Sequence, residues 1–255
     1  MSGDLAGRTV LLTGASRGIG AATARVLGER GASLIAHYGA YREGAEEAVS
    51  AIAPEHRLLA SADLSVPGSA RALWAEAVAW RGRVDVLVVN AATMPTTAFD
   101  GSDEDWEEGW RTAFQVNVLE PASLIREAVR HFLEHGGGTI VTLSSWAAQR
   151  GSALPHLCAY SASKAAIANL TLTVARNHAR DGILAHVVAP GIVRTRLAES
   201  SAAARGGIEA VNEALAMGEM VPPLEVAELI AFLASGRCRH LTGATIDLNG
   251  ASNVR

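Results

Sequence analysis

The stretch Arg8-Thr9-Val10-Leu11-Leu12-Thr13-Gly14-Ala15-Ser16-Arg17-Gly18-Ile19-Gly20 joins an apolar run to a glycine-rich turn. Residues 8–13 read as a short buried strand. Residues 21–30, after the turn, have helical composition. Strand, glycine turn and helix in that order bring backbone N–H groups and a helix N-terminus onto a phosphate. Gly14 permits the turn, while Gly18 and Gly20 permit close approach of backbone and ligand. The spacing is T-G-x-x-x-G-x-G, not G-x-G-x-x-G. A tight turn without a ligand could hold the same glycines; the strand before it and the helix after it favour phosphate binding.

Outward from this turn the pattern repeats. Residues 33–37 form a second strand, 42–52 a helix, 57–62 a strand ending in Asp63, 68–80 a helix, and 85–89 a strand ending at Asn90. Ser102 is a plausible N-cap for the next helix, and Pro121 opens another that runs to His135. Further strands follow at 139–143, 183–188 and 242–248, with a helix from Tyr160 to about Arg180 and another at 224–234. Strands without polar alternation are buried on both faces, as in a parallel sheet. The alternation predicts an α/β, Rossmann-like, doubly wound parallel sheet of about seven strands with helices on both faces. No composition break marks a second domain, so residues 1–255 read as one dinucleotide-binding unit. The least regular part, with weak helical patterning at 208–217, reads as a mobile substrate lid at about 194–222.

Composition narrows the function. Apolar residues make up 49% of the chain, enough for a large core, and the charged share of 19% is low, which suggests much buried surface, including subunit contacts. A net charge of −4 without a basic block argues against nucleic acid as a partner. Cys158 and Cys238 form neither a disulfide framework nor a metal-type spacing, which points to a reducing, cytoplasmic compartment. The first residues resemble no signal peptide, and no apolar run approaches the ~18 residues of a membrane span. No metal site is expected.

The chemistry centres on Tyr160-Ser161-Ala162-Ser163-Lys164. On a helix, Tyr160 and Lys164 share one face. An ammonium there favours phenolate and is expected to lower a phenol pKa from ~10, so that Tyr160 exchanges a proton near neutral pH. Lys164 is the single lysine; every other Lys or Arg position holds Arg. Arg cannot imitate a compact ammonium. A surface helix carrying an incidental Tyr and Lys is the plain alternative.

Other positions support this reading. Ser144, Ser145 and Trp146 follow the 139–143 strand, at the strand end where open α/β sheets place ligands. Asn117 stands among apolar neighbours and needs a hydrogen-bond partner. No carboxylate ends the second strand, where Tyr38-Gly39 stand instead. Arg17 and Arg42 are placed to grip a 2′-phosphate, favouring NADP(H) over NAD(H), although Arg42 fits a solvated face equally well. Trp106, Trp110 and Phe114 form a stripe that suits core packing or a helix–helix subunit contact.

In these features the chain resembles the short-chain dehydrogenases/reductases over essentially its full length, in particular their NADP-preferring, 3-oxoacyl-acyl-carrier-protein-reductase-like members. The resemblance rests on Thr13–Gly20, Asp63-Leu64, Val89-Asn90-Ala91-Ala92, Asn117, Ser145, Tyr160-x-x-x-Lys164, and Pro190-Gly191 followed by Thr195, all in order. It implies that Tyr160 is the proton donor, that Lys164 tunes it and holds the nicotinamide ribose, that Ser145 holds the substrate oxygen, and that Asn117 orders a relay water. The implied cofactor set is Gly14, Ser16, Arg17, Gly18, Ile19 and Gly20 at the phosphate turn, with Tyr38 and Arg42 beyond the second strand. Asp63 and Leu64 would lie beside the adenine, and Asn90, Ala91 and Ala92 on the ribose side. Tyr160, Lys164, Pro190, Gly191, Ile192 and Thr195 would complete it.

Departures are Ala92 where the family usually has Gly, His186 where it commonly has Asn, a longer Ser145-to-Tyr160 connection, and Gly250-Ala251 where it ends in a glycine pair. His186 reads as a core or interface histidine. Met94, Pro95, Trp146, Ala147, His156, Leu157 and the lid are expected to line an apolar substrate pocket. The leading expectation is an NADPH-dependent reductase, forming a dimer or tetramer, for a 3-oxoacyl thioester or small ketone. Alternatives are an NAD-linked alcohol dehydrogenase and a cofactor-binding member without turnover.

Overall fold

The computed structural model describes residues 3–202 and 206–254. Among these residues a parallel sheet has the order β3-β2-β1-β4-β5-β6-β7. The strands are β1 (Thr9–Leu12), β2 (Ser33–Tyr38), β3 (Arg57–Ser61), β4 (Val86–Val89), β5 (Gly138–Leu143), β6 (Ile183–Pro190) and β7 (Thr245–Leu248). The order reverses between β1 and β4, which makes the crevice at their C-terminal ends the natural ligand site.

Alternation along each buried strand feeds two cores. Val10, Leu12, Val86 and Val88 point to one face, against α1 (Gly18–Glu29) and α10 (Pro223–Ala234). Leu11, Leu87, Val89 and Ile140 point to the other, against α3 (Ser69–Arg81), α5 (Glu120–Glu134) and α7 (Cys158–His178). A strand buried on both sides needs apolar residues at every position, which is why these runs lack polar alternation. α2 (Arg42–Ala48) follows β2 and is shorter than the sequence suggests.

Other elements also differ from expectation. α4 (Asp103–Phe114), a π-helical turn (Gln115–Leu119) and α5 form one uninterrupted helix rather than two. Pro121 has no N–H and crowds the carbonyl four residues back, so the helix widens instead of ending. Glu120 N accordingly bonds the Gln115 carbonyl. β6 runs on through Pro190, because Pro190 sits at the strand end, where only its carbonyl is needed, and that accepts from Trp146 N at 3.0 Å. The segment between β5 and α7 contains a short helix, α6 (Ala147–Arg150).

The expected lid contributes α8 (Arg196–Ala202) and α9 (Ile208–Glu213); residues 203–205 lie outside the described residues. Ala202, Val211, Leu215 and Met220 form a small cluster of their own, packed on Trp146 and Ile192. No helix among the described residues is long and apolar enough to cross a membrane.

Candidate active site

β5 delivers Ser145 to its C-terminal end, and α7 crosses beside it. Three contacts fasten the helix to the strand: Ser144 Oγ donates to the Lys164 carbonyl at 2.9 Å, Lys164 Nζ donates to the Leu143 carbonyl at 2.7 Å, and Thr171 Oγ1 donates to Thr142 Oγ1 at 2.8 Å. Tyr160 stands one turn before Lys164 and keeps part of its surface open to the cleft. Its phenol is hydrogen-bonded with Ser145. Ser145 Oγ also accepts from Ala147 N at 3.1 Å.

The protonation of this pair corrects the sequence reading. Burial pushes the Tyr160 phenol up, and the Ser145 hydrogen bond opposes that shift only in part. Lys164 is 4% exposed, and burial lowers it to about 8. Its Nζ lies 5.9 Å from the Tyr160 ring centre and is turned to a backbone carbonyl. In this geometry desolvation outweighs attraction, and each group is driven toward its neutral form.

Asn117 is buried at the π turn. Its Oδ1 accepts from Thr93 N at 2.8 Å, and its Nδ2 donates to the Thr93 carbonyl at 2.9 Å and to Ser163 Oγ at 3.0 Å. Ser163 Oγ in turn donates to the Tyr160 carbonyl at 2.7 Å. The Asn117 amide thus ties the loop after β4 to the first turn of α7.

The glycine turn is shaped for a phosphate. Gly14 has φ +72°, and a Cβ on Gly20 would lie 1.9 Å from the Gly14 carbonyl oxygen. A Cβ on Gly18 would meet Thr195 Cγ2 at 2.9 Å. No side chain caps the N-terminus of α1, so its first N–H groups face the cradle. This donor set fits a dinucleotide pyrophosphate. Asn90 Nδ2 donates to the Thr13 and Gly14 carbonyls at 2.9 and 3.1 Å, and Thr13 Oγ1 accepts from the N–H groups of Asn90 and Ala91. Asn90 therefore braces the turn with its side chain.

At the expected 2′-phosphate end, Tyr38 is buried and hydrogen-bonded with Arg42, whose Nε also donates to Glu46 at 2.7 Å. The Arg17 guanidinium lies 4.1 Å from the Tyr41 ring centre. Asp63 is exposed; its carboxyl is held below the usual range by the Ser65 hydroxyl and N–H. The Leu64 side chain is buried in the second core, and Ala92 is exposed.

A cleft of about 190 Å³ unites the two halves. Ile19 and Thr195 line it from the glycine-turn side, and Ser145 and Tyr160 from the other. Met94, Trp146, Ala147, Leu157, Pro190, Gly191, Ile192 and Ala198 complete much of the wall, and among the described residues no lining residue carries a charge. Arg150 stacks on Trp146 at 4.0 Å. Pro95 borders a separate hollow beside α4, and the His156 carbonyl accepts from Thr97 N at 2.7 Å. His186 is buried and bonded to the Leu241 carbonyl at 3.1 Å, a core residue.

A family model described as enoyl-(acyl carrier protein) reductase matches residues 14–251. The chain belongs to the short-chain dehydrogenase/reductase family. This short-chain dehydrogenase/reductase is 35% identical to 3beta-hydroxysteroid dehydrogenase 1 of Eggerthella lenta, over 100% of this chain and 97% of that one. It is 36% identical to cis-4-hydroxycyclohexanecarboxylate dehydrogenase of Sinomonas cyclohexanicum, over 98% of each. Among solved structures, a 3-oxoacyl (acyl-carrier-protein) reductase from Agrobacterium tumefaciens C58 with NADP bound superimposes with a TM-score of 0.86 at 32% identity, covering 96% of this chain and 94% of that one. The protein is an NAD(P)-dependent oxidoreductase acting on alcohol or carbonyl groups.

Several residues of this short-chain dehydrogenase/reductase escape a reading of the sequence. His37, Tyr41 and Ser163 all touch the site, yet only His37 leaves a signal, as an imidazole within an otherwise mostly apolar strand. Tyr41 and Ser163 acquire meaning only from what folds against them.

Proposed function

We propose that the protein is an NADPH-dependent carbonyl reductase for a small, uncharged ketone, with Tyr160 as the proton donor. The observation that carries the reading is the shared cleft, in which Ser145 and Tyr160 face Ile19 and Thr195 from the phosphate turn. Two exposed arginines, Arg17 and Arg42, and the lack of a carboxylate at Tyr38-Gly39 support NADP(H) over NAD(H). The NADP in the related solved structure agrees with this.

A nicotinamide cofactor supplies the hydride. Gly14, Gly18, Gly20 and the open end of α1 would hold its phosphates. The chain's own work is on the oxygen. Ser145 Oγ and the Tyr160 hydroxyl both donate to the substrate carbonyl, polarising it. As negative charge grows there, Tyr160 delivers its proton to that oxygen. Ser145, already hydrogen-bonded with the phenol, then stabilises the phenolate left behind. Asn117 and Ser163 hold the first turn of α7, so the hydroxyl keeps its place.

An uncharged wall suits an uncharged reacting end, whether a simple ketone or the 3-oxo group of a thioester. Of the arginines that could dock an acyl carrier, Arg130 pairs with Glu127 at 3.5 Å, Arg150 is stacked on Trp146, and Arg194 is exposed between Val193 and Thr195 of the cleft wall. An NAD-linked dehydrogenase working from alcohol to ketone is the second reading. It is favoured by the names of the two dehydrogenase relatives and by the ion pair between Arg42 and Glu46. In either direction we take the enzyme to act as a homo-oligomer in the cytoplasm.

The test is Tyr160→Phe, assayed with ring ketones, open-chain ketones and 3-oxoacyl thioesters, each with NADPH and NADH. Loss of general acid catalysis should lower kcat by about a thousandfold while cofactor binding persists. Retained turnover would sink the assignment. A lower KM for NADH than for NADPH would favour the second reading.

A further inference from the structure

We infer that His37 is a positioning residue for the cofactor's phosphate turn, acting through a single hydrogen bond from its imidazole to the Gly14 N–H. The inference rests on the reading that a nicotinamide cofactor binds at Gly14–Gly20, and adds to it a residue that touches no ligand. His37 lies near the C-terminal end of β2, 2% exposed. Its Nδ1 accepts from Gly14 N at 3.0 Å. Its Nε2 lies 2.9 Å from the Ala62 carbonyl, which can only accept. Together the partners define one tautomer, neutral, with the proton on Nε2. The His37 carbonyl also accepts from Ala15 N at 2.8 Å. One residue thus grips two consecutive N–H groups of the turn and the residue preceding Asp63.

The physical reason lies in Gly14. Gly14 follows β1 with φ +72°, and its N–H is paired with the imidazole rather than with a strand carbonyl. Without the imidazole this donor would be left unpaired in a part-buried site, and the turn would relax to find a partner. Burial keeps the ring below its usual titration range despite the opposing pull of the Ala62 carbonyl, so the acceptor stays available at neutral pH.

Two amides separate the two bonds. In His37→Asn the side-chain oxygen reaches about as far as Nδ1 and keeps the Gly14 bond. In His37→Gln the amide reaches about as far as Nε2 and keeps only the Ala62 bond. His37→Leu keeps neither. The dissociation constant of NADPH is read by fluorescence titration, with kcat at saturating cofactor and the urea midpoint measured alongside. We expect His37→Asn to bind within about twofold of wild type, and His37→Gln and His37→Leu to bind roughly tenfold more weakly, with kcat retained. Nitrogen NMR of the cofactor-free protein should show the His37 proton on Nε2. Wild-type affinity in all three variants, or an Asn variant as weak as the Leu variant, would overturn the inference alone, whatever the urea midpoints. A wild-type protein that binds no nicotinamide cofactor would overturn the functional reading and this inference together.

Discussion

Lys164 carries its amine into a buried site whose partner is the Leu143 carbonyl, and this has a thermodynamic signature. Burial lowers the group to about 8 from 10.5. Between those values the unfolded chain holds a proton that the folded chain has released. Stability therefore rises with pH across that window. Below it, both states are charged and the full penalty of about 3 kcal/mol persists. In the cofactor-free protein, the Tm of wild type relative to Lys164→Met should climb as pH is raised from about 8 to about 10.5. A flat difference would show that the ammonium is not desolvated. The pairing of Tyr160 and Lys164 on one helix was legible in the sequence, because residues four apart share a helix face. Their protonation was not, because it depends on what surrounds them after folding.

Glu120 works between elements. It lies on the first turn of α5, is 4% exposed, and reaches to the start of α3. Its carboxylate accepts from Gly68 N at 3.0 Å, Ala70 N at 2.8 Å and Gln115 Nε2 at 3.2 Å. α3 begins at a glycine with no side-chain cap, so Glu120 supplies the missing acceptor from another helix. The same residue anchors the π turn that presents Asn117. Glu120→Ala should cost about 2 kcal/mol in urea unfolding, since two N–H groups lose their acceptor. A cost near zero would show that water replaces the carboxylate. Ser102, by contrast, caps its own helix by accepting from Asp105 N at 3.1 Å, and that cap was readable from the local sequence.

At the scale of the whole molecule, apolar surface remains on the long helix. Phe99 is 73% exposed and packs on Trp106 at 5.3 Å, and Leu119 and Leu133 are 55% and 48% exposed. Trp106, Trp110 and Phe114 continue that strip, with ring centres 5.8 and 5.6 Å apart. Light scattering should return a dimer or tetramer mass, reduced to a monomer by Trp106→Glu; a monomeric wild type would contradict the assembly. The sequence by itself determined the layered parallel sheet, the glycine turn between β1 and α1, and the pairing of Tyr160 with Lys164 on one helix. Those follow from strand and helix periodicity and from glycine's freedom at positive φ, which are properties of short stretches of chain. Only the tertiary structure decided that the helix passes through Pro121, that Pro95 borders a separate hollow, that Tyr160 and Lys164 are driven toward neutrality, and that His37 braces Gly14 from a neighbouring strand. Those outcomes depend on burial and on partners far apart in the chain, so they exist only once the sheet has brought the partners together.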